Sequence, residues 1–266
     1  MSIQEVIAPL GHTIIALSAA PVDLTATTTW IDHLNSVSDA INQKPAILVI
    51  PFSDVEEAEE FAAQAPVETS YRVVCVCYHG ANGQEPELAA AMAAALADSN
   101  DPALPFNGVN LGGINAVEDQ YKLTFERIEA ALNHGVCMID TGADGKPEIV
   151  RAVSTYRVNP DSGLDDDLML DINGALVIDY TRKVLRADLA KERRRKNTAA
   201  QRRNVRSIIL KRLTQLDDAE ILQDVRDNAD QLTVTADQTD RYRVNAKIPA
   251  NWVRGMHVIA GTIDVY

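Results

Sequence analysis

The chain has little cysteine to work with. Only Cys75, Cys77 and Cys137 occur among 266 residues. The number is odd, and the spacing Cys75-Val76-Cys77 is neither C-x-x-C nor a zinc pattern. On a strand those two side chains share one face. The surrounding residues are apolar, so the expected state is buried free thiols in a reducing compartment. No run of about 18 apolar residues is present, so no membrane span is expected. The first residues, MSIQEVIAPL, lack the basic segment and long apolar segment of a signal peptide. The five histidines, His12, His33, His79, His134 and His257, are scattered, and none forms an H-E-x-x-H pair. There is no G-x-G-x-x-G, Walker A or G-x-S-x-G motif. No internal repeat or low-complexity tract is present. Catalytic, cofactor-binding and metal-binding residues are therefore not expected, and neither is a cofactor.

Charge is abundant, and it is segregated. Residues 182 to 212 hold 13 Lys/Arg against 2 acids, a local charge of +11. The chain total of −13 then leaves −24 to the rest. The basic part follows a stretch that is apolar nearly all round, DDDLMLDINGALVIDY. There Leu168, Ile172, Leu176 and Tyr180 recur every four residues, with Leu170, Val177 and Ile178 on other sides. A helix of this kind is usually buried. The basic run itself gains nothing from its own neighbours, because like charges four residues apart oppose the helix. A kink or loop is expected near Asn197. The run reads as a docking surface for something acidic, or as a solvated face. Overall acidity argues against nucleic acid as a partner of the whole molecule. A nucleic-acid-binding role for 182–212 is the alternative, although no aromatic residues interleave with the basic ones after Tyr180.

The remaining pattern alternates strands and helices. Gly11 to Leu17 reads as a strand after an N-terminal arm, and Thr25 to Asn42 as a helix with the stripe Trp30, Leu34, Val37 and Ile41. Ala46 to Ile50 and Tyr71 to Tyr78 are continuous apolar runs of the kind found in buried parallel strands. Ser53-Asp54-Val55-Glu56 reads as a capping box opening a helix. Pro86 to Asp98 is an alanine-rich helix. A Pro/Gly/Asn-rich connection, DPALPFNGVNLGGIN, marks a boundary or crossing loop. Then follow a helix from Glu118 to Leu132 and a hairpin of Val136 to Ile139 with Ile149 to Tyr156. After the basic region, Asp218 to Asn228 reads as a short helix. Gln231 to Ala236, Tyr242 to Ile248 and Met256 to Tyr266 read as strands. The fold class expected is α/β, α+β overall.

Two loops invite a catalytic or ligand-binding reading. Asp140-Thr141-Gly142-Ala143 resembles the signature of retropepsin-like aspartic proteases, which need a second carboxylate loop and a flap. Here Gly145-Lys146-Pro147 and a strand follow instead, and Asp-Thr-Gly in a turn needs only ordinary turn chemistry. Gly80-Ala81-Asn82-Gly83 sits between strand and helix, where phosphates bind. Glu85 and Glu87 would repel an anion there.

Taken together, ALPFNGVNLGGI, YKLTFERIEAALNHGVCMID, KPEIVRAVSTY, DDDLMLDINGALVIDYTRKVLRADL and AKIPANWVRGMHVIAGTIDVY occur in an order that resembles the tail sheath proteins of contractile-tailed phages, of the Mu-like type. The resemblance covers Pro86 to Tyr266, and the chain would be a short, minimal member. It implies a non-enzymatic subunit of stacked rings around a tail tube. The rings form a helical array that contracts and drives the tube through a cell envelope. It implies a virion tail location after assembly in the host cytoplasm. The implied partners are further copies, the tube protein, and baseplate and tail terminator proteins, with no membrane or nucleic acid. It implies an N-terminal arm and first strand over 1–22, an α/β unit over 23–114 and a sheath C-terminal domain over 115–266. Within that domain lie the basic helical region 168–216 and a strand arm 256–266, with a small sheet completed by neighbours' arms. The inner helical region of this family faces the tube, which would place Arg182, Lys183, Arg186, Arg193, Arg194, Arg195 and Lys196 against it. Inter-subunit contacts would fall to Ile3, Val6, Ile7, Ile259, Ile263 and Val265, since alternating β-branched termini suit strand addition.

Overall fold

A computed structural model describes residues 2 to 257, apart from Arg193. Its contacts divide the chain into two compact units. Among the described residues, one comprises 2–100, 104–175 and 256–257, and the other comprises 101–103 and 176–255.

The first unit is built on a five-stranded sheet in the order β1-β2-β3-β4-β5. Strands β1 (Ile14–Ala16), β2 (Ile47–Phe52), β3 (Val73–Cys77) and β4 (Val136–Thr141) run parallel, and β5 (Pro147–Ile149) returns antiparallel to β4. Every residue of β2 and β3 is buried, as their continuous apolar runs require of strands covered on both faces. All three cysteines lie inside, and burial pushes the Cys137 thiol up to about 12 and the Cys75 and Cys77 thiols above their ordinary value. Helices α2 (Leu24–Ser38), α3 (Val55–Ala62), α4 (Glu85–Asp98) and α5 (Phe125–Asn133) accompany the sheet. Helix α4 packs on β1 and β2, and α5 packs on β4.

Several boundaries differ from the sequence expectation, each for a local reason. The N-terminal residues form a short helix, α1 (Ile3–Ile7), closed by a capping box in which Ser2 and Glu5 bond reciprocally. Helix α2 stops at Ser38 because the Asp39 carboxylate accepts the backbone N–H groups of Ile41 and Asn42, which leaves Ile41 exposed. The cap of α3 is Asp54, whose Oδ1 takes the N–H groups of Glu56 and Glu57 at 3.0 and 3.1 Å; Ser53 lies outside it. The helix expected from Glu118 begins only at Phe125, behind a 3-10 turn and the cap Thr124. The second hairpin strand ends at Ile149, and Leu168 is exposed ahead of its helix. The boundary expected after residue 114 also moves. Strand β4 pairs with β3, so residues up to 175 join the first sheet's unit.

The second unit contains most of the basic region. Helix α6 (Ile172–Leu189) runs into it, a 3-10 turn follows over Ala190–Glu192, and α7 (Ala199–Asp218) starts behind Thr198. The Thr198 hydroxyl accepts the Gln201 N–H at 3.2 Å, so the chain breaks around Asn197, as the composition predicts. Despite its charge, α7 keeps a stripe at Ile209, Leu213 and Leu216. This stripe joins Val177, Leu185, Leu222, Leu232 and Trp252 in one core. Strand β6 (Leu222–Gln223) pairs antiparallel with β9 (Asn251–Trp252), and β7 (Thr233–Ala236) with β8 (Val244–Lys247). The helix expected over Asp218 to Asn228 is absent. Glu220 and Asp224 take positive φ there, and Leu222 is drawn into the pair with Trp252.

Candidate interaction surface

The cations of residues 182–212 sort by their partners. Some hold the unit together. Arg212 forms a two-point pair with Asp188, Nε to Oδ2 at 2.6 Å and Nη2 to Oδ1 at 2.9 Å. This bond holds the Asp188 carboxyl below its ordinary value. Arg206 donates to the carbonyls of Leu232 and Ala229 at 2.9 and 2.7 Å. Arg202 donates to Asn197 Oδ1 at 2.7 Å.

Others face outward. Lys183, Arg194, Arg195 and Lys196 are exposed, and the Arg195 guanidinium reaches Glu192 only at 3.6 Å. Arg182 is half-buried, 3.9 Å from Asp179. Arg186 is half-buried too; desolvation first, and the Arg182 charge second, lower its pKa. Arg193 lies outside the described residues. The described members of the tube-facing set expected from sequence thus lie partly on α6 and partly in the loop ahead of α7.

A concavity sits in this unit. Leu189, Val205, Ile209, Val244 and Ala246 form its apolar walls, Tyr242 stands beside it, and Arg195, Lys196 and Arg202 line its edge. Its volume is about 370 Å³. The sequence marks the cations but not the opposite wall. Strand β8 comes from a hairpin some 50 residues downstream, and no local pattern announces that pairing. Tyr242 is 97% exposed.

The other predicted sites are placed as follows. Ile3 and Val6 are exposed on α1 and Ile7 is half-buried. Ile259, Ile263 and Val265 lie outside the described residues. Asp140 is in the β4–β5 hairpin opposite Glu148, and its Oδ1 accepts the N–H of the next residue, Thr141. The Thr141 hydroxyl meets Tyr78 OH at 2.7 Å, and Asp144 Oδ1 accepts the Lys146 N–H. This is turn chemistry within one hairpin, with the Thr141–Tyr78 bond tying the hairpin to the end of β3. Gly80 is needed where it stands: its φ is +83°, and a Cβ there would come 2.4 Å from the Tyr121 side chain.

Sequence reading missed one cluster. Asp54, Glu56 and His79 bring possible ligand atoms within 4.8 Å of one another, at the ends of neighbouring parallel strands. All three are engaged within the protein. Asp54 caps α3, Glu56 accepts from Arg127 at 3.2 Å, and His79 Nδ1 accepts from the Val55 N–H at 3.4 Å. Only the spatial adjacency of β2 and β3 could have revealed the cluster.

Comparison with known proteins adds a family match over part of the chain. Residues 165–266 match the model of the phage tail sheath C-terminal domain. No curated protein sequence matches the chain. Its fold is similar to the sheath tail protein of Desulfitobacterium hafniense, with TM-score 0.69 and 16% identity over 95% of this chain and 56% of that one. It is also similar to the helical sheath of the anti-feeding prophage in its contracted state, with TM-score 0.64 and 18% identity over 98% and 72% of the two chains. The sheath of an extracellular contractile injection system, also contracted, gives TM-score 0.62 and 14% identity over 95% and 70%. The chain thus spans little more than half the length of the Desulfitobacterium protein. Residues 165–266 thus match the phage tail sheath C-terminal domain, and the chain as a whole has the fold of contractile tail sheath proteins.

Proposed function

We propose that the chain is a structural, non-catalytic subunit of a contractile tail sheath. It polymerises as stacked rings around a tail tube and contracts from an extended state to drive the tube through a target envelope. One observation carries this reading. The family match covers the unit in which the chain's positive charge is segregated, while the sheath fold extends over nearly the whole chain.

The partners follow from that role: further copies, the tube protein, and baseplate and terminator proteins at the ends. The assembled subunit resides in a virion-type tail, built in the host cytoplasm. The exposed cations Lys183, Arg194, Arg195 and Lys196, with Arg182, Arg186 and Arg193, face an acidic tube. Each such contact is weak and screened by salt, and repetition along the tube multiplies it. Weak contacts also let the sheath release the tube on contraction. The terminal segments, with Ile3, Val6 and Ile7 at one end and Ile259, Ile263 and Val265 at the other, link neighbouring subunits. Among the described residues the β7–β8 pair is a two-stranded sheet whose edges invite an added strand.

The tube contact is tested by reversing Lys183 and Arg194 to Glu, two exposed residues outside the concavity. The subunit should fold normally and still self-assemble. Co-assembly with the tube protein of the same particle should be lost or become unstable, and wild-type co-assembly should weaken as salt rises. Normal co-assembly of the doubly reversed subunit would place the tube contact elsewhere.

A further inference from the structure

The concavity of the second unit has a complement elsewhere in the same sequence. Residues 161–168, Asp-Ser-Gly-Leu-Asp-Asp-Asp-Leu, form a loop of the first unit. Leu164 is 68% exposed and Leu168 50%, and Asp165 and Asp167 are exposed between them. Two large aliphatic side chains left in water cost free energy that burial would recover. The loop is also fixed in shape. The central carboxylate, Asp166, is turned inward, where it accepts from Tyr156 OH at 2.7 Å and Asn159 Nδ2 at 3.1 Å. Asn159 N–H donates to the Leu164 carbonyl at 2.9 Å. With Asp166 held inside, its two neighbours point outward as a preformed pair. Among the described residues no cation pairs with Asp165 or Asp167.

The concavity offers the opposite features. Its walls are aliphatic, with an exposed tyrosine beside them, and its edge carries Arg195, Lys196 and Arg202 against one acid, Glu192, whose carboxylate is engaged by Gln201 and Arg195. Lys196 has no carboxylate partner among the described residues. A volume of about 370 Å³ suits a few side chains, and is too shallow for a folded element. Leucines flanked by outward carboxylates are the chemistry that satisfies both walls and rim.

We infer that the concavity of one copy receives the Leu164–Leu168 loop of a second copy, leucines against Leu189, Val205 and Val244, and Asp165 and Asp167 against Lys196 and Arg202. Such a contact joins two different patches, so it is heterologous and propagates into a ring or a helix. It rests on the sheath reading and supplies a subunit contact that the terminal arms do not use. Charge pairing fixes its register, and opposed like charges across it weaken it.

The test is a charge swap in the full chain, with assembly followed by sedimentation and negative-stain microscopy without tube protein. Asp165→Lys with Asp167→Lys should raise the critical concentration for assembly by at least about 100-fold. Lys196→Glu with Arg202→Glu should do the same. The chain carrying all four changes should assemble again, to within about tenfold of the wild type, because the pairs are restored. Circular dichroism checks that each variant is folded. Should the four-fold variant not fold, mixing the loop-reversed and groove-reversed chains tests the same pairing, since each loop then meets a groove of opposite charge only on the other kind of chain; should a two-fold variant not fold, the neutral pairs Asp165→Asn with Asp167→Asn and Lys196→Gln with Arg202→Gln should each weaken assembly in its place. Wild-type tubes that both single reversals leave unaffected would overturn this contact alone and leave the sheath reading standing, as would failure of the four-fold swap to restore assembly. Absence of tubes from the wild type, with and without tube protein, would overturn the sheath reading and this contact with it.

Discussion

At the scale of single residues, stability rests on a few charged groups with several partners. Glu59 accepts from Arg127 at 2.7 and 2.8 Å and meets His134 Nδ1 at 3.0 Å. Burial by itself would raise its pKa, but the bonds from Arg127 and His134 outweigh this and hold it below the ordinary value. A carboxyl with a depressed folded-state pKa contributes stability that is present above its unfolded value. That stability is lost as the pH falls through the folded value. Glu59→Gln should therefore lower the melting temperature at neutral pH and flatten its fall in acid. An unchanged acid limb, measured by thermal denaturation across the pH range, would show that Glu59 is not a source of the acid sensitivity. The residue scale is also where sequence reading of the site falls short. Thirteen cations are visible in residues 182–212, but their roles are not. Arg206 is consumed by carbonyls 23 and 26 residues away, and Arg212 by an aspartate 24 residues back. No local pattern distinguishes them from Lys183 or Lys196, which face water.

At the scale of elements, legibility follows whether the forming interactions are local. Strands β2 and β3 and helix α4 are readable because burial demands continuous apolar runs, and the break before α7 because charge and Asn197-Thr198 concentrate there. The pairing of Leu222 with Trp252 is not readable, since the partners stand 30 residues apart and each is only two residues long. The missed α1 is a different case. Its signal, Ser2 followed three residues later by Glu5, is present in the sequence, but the following Pro9 and β-branched run favoured an extended arm. Helix α7 is the test of what holds the second unit together. It is strongly basic, yet Ile209, Leu213 and Leu216 point into the core. Leu213→Ala should cost about 3 kcal/mol, from lost transfer energy and the cavity left behind. Arg203→Ala, on the exposed side of the same helix, should change stability by less than about 0.5 kcal/mol. Denaturant titration of the two variants separates these outcomes. Equal effects would mean that α7 does not rest on its apolar stripe.

At the scale of the whole molecule, the two units carry different parts of the account. The first has a sealed parallel core with buried thiols, a hairpin where the protease-like signature stood, and an exposed acidic loop. The second has a small core and most of the positive charge. On the proposed function, a chain so polarised meets copies of itself and an acidic partner. The most direct measurement is negative-stain electron microscopy of the purified chain over a range of protein and salt concentrations, alone and with its tube protein. A sheath subunit should form hollow tubes or stacked rings above a critical concentration, and tube protein should lower that concentration. Monodisperse single subunits under every condition, with no recruitment by the tube protein, would contradict the account.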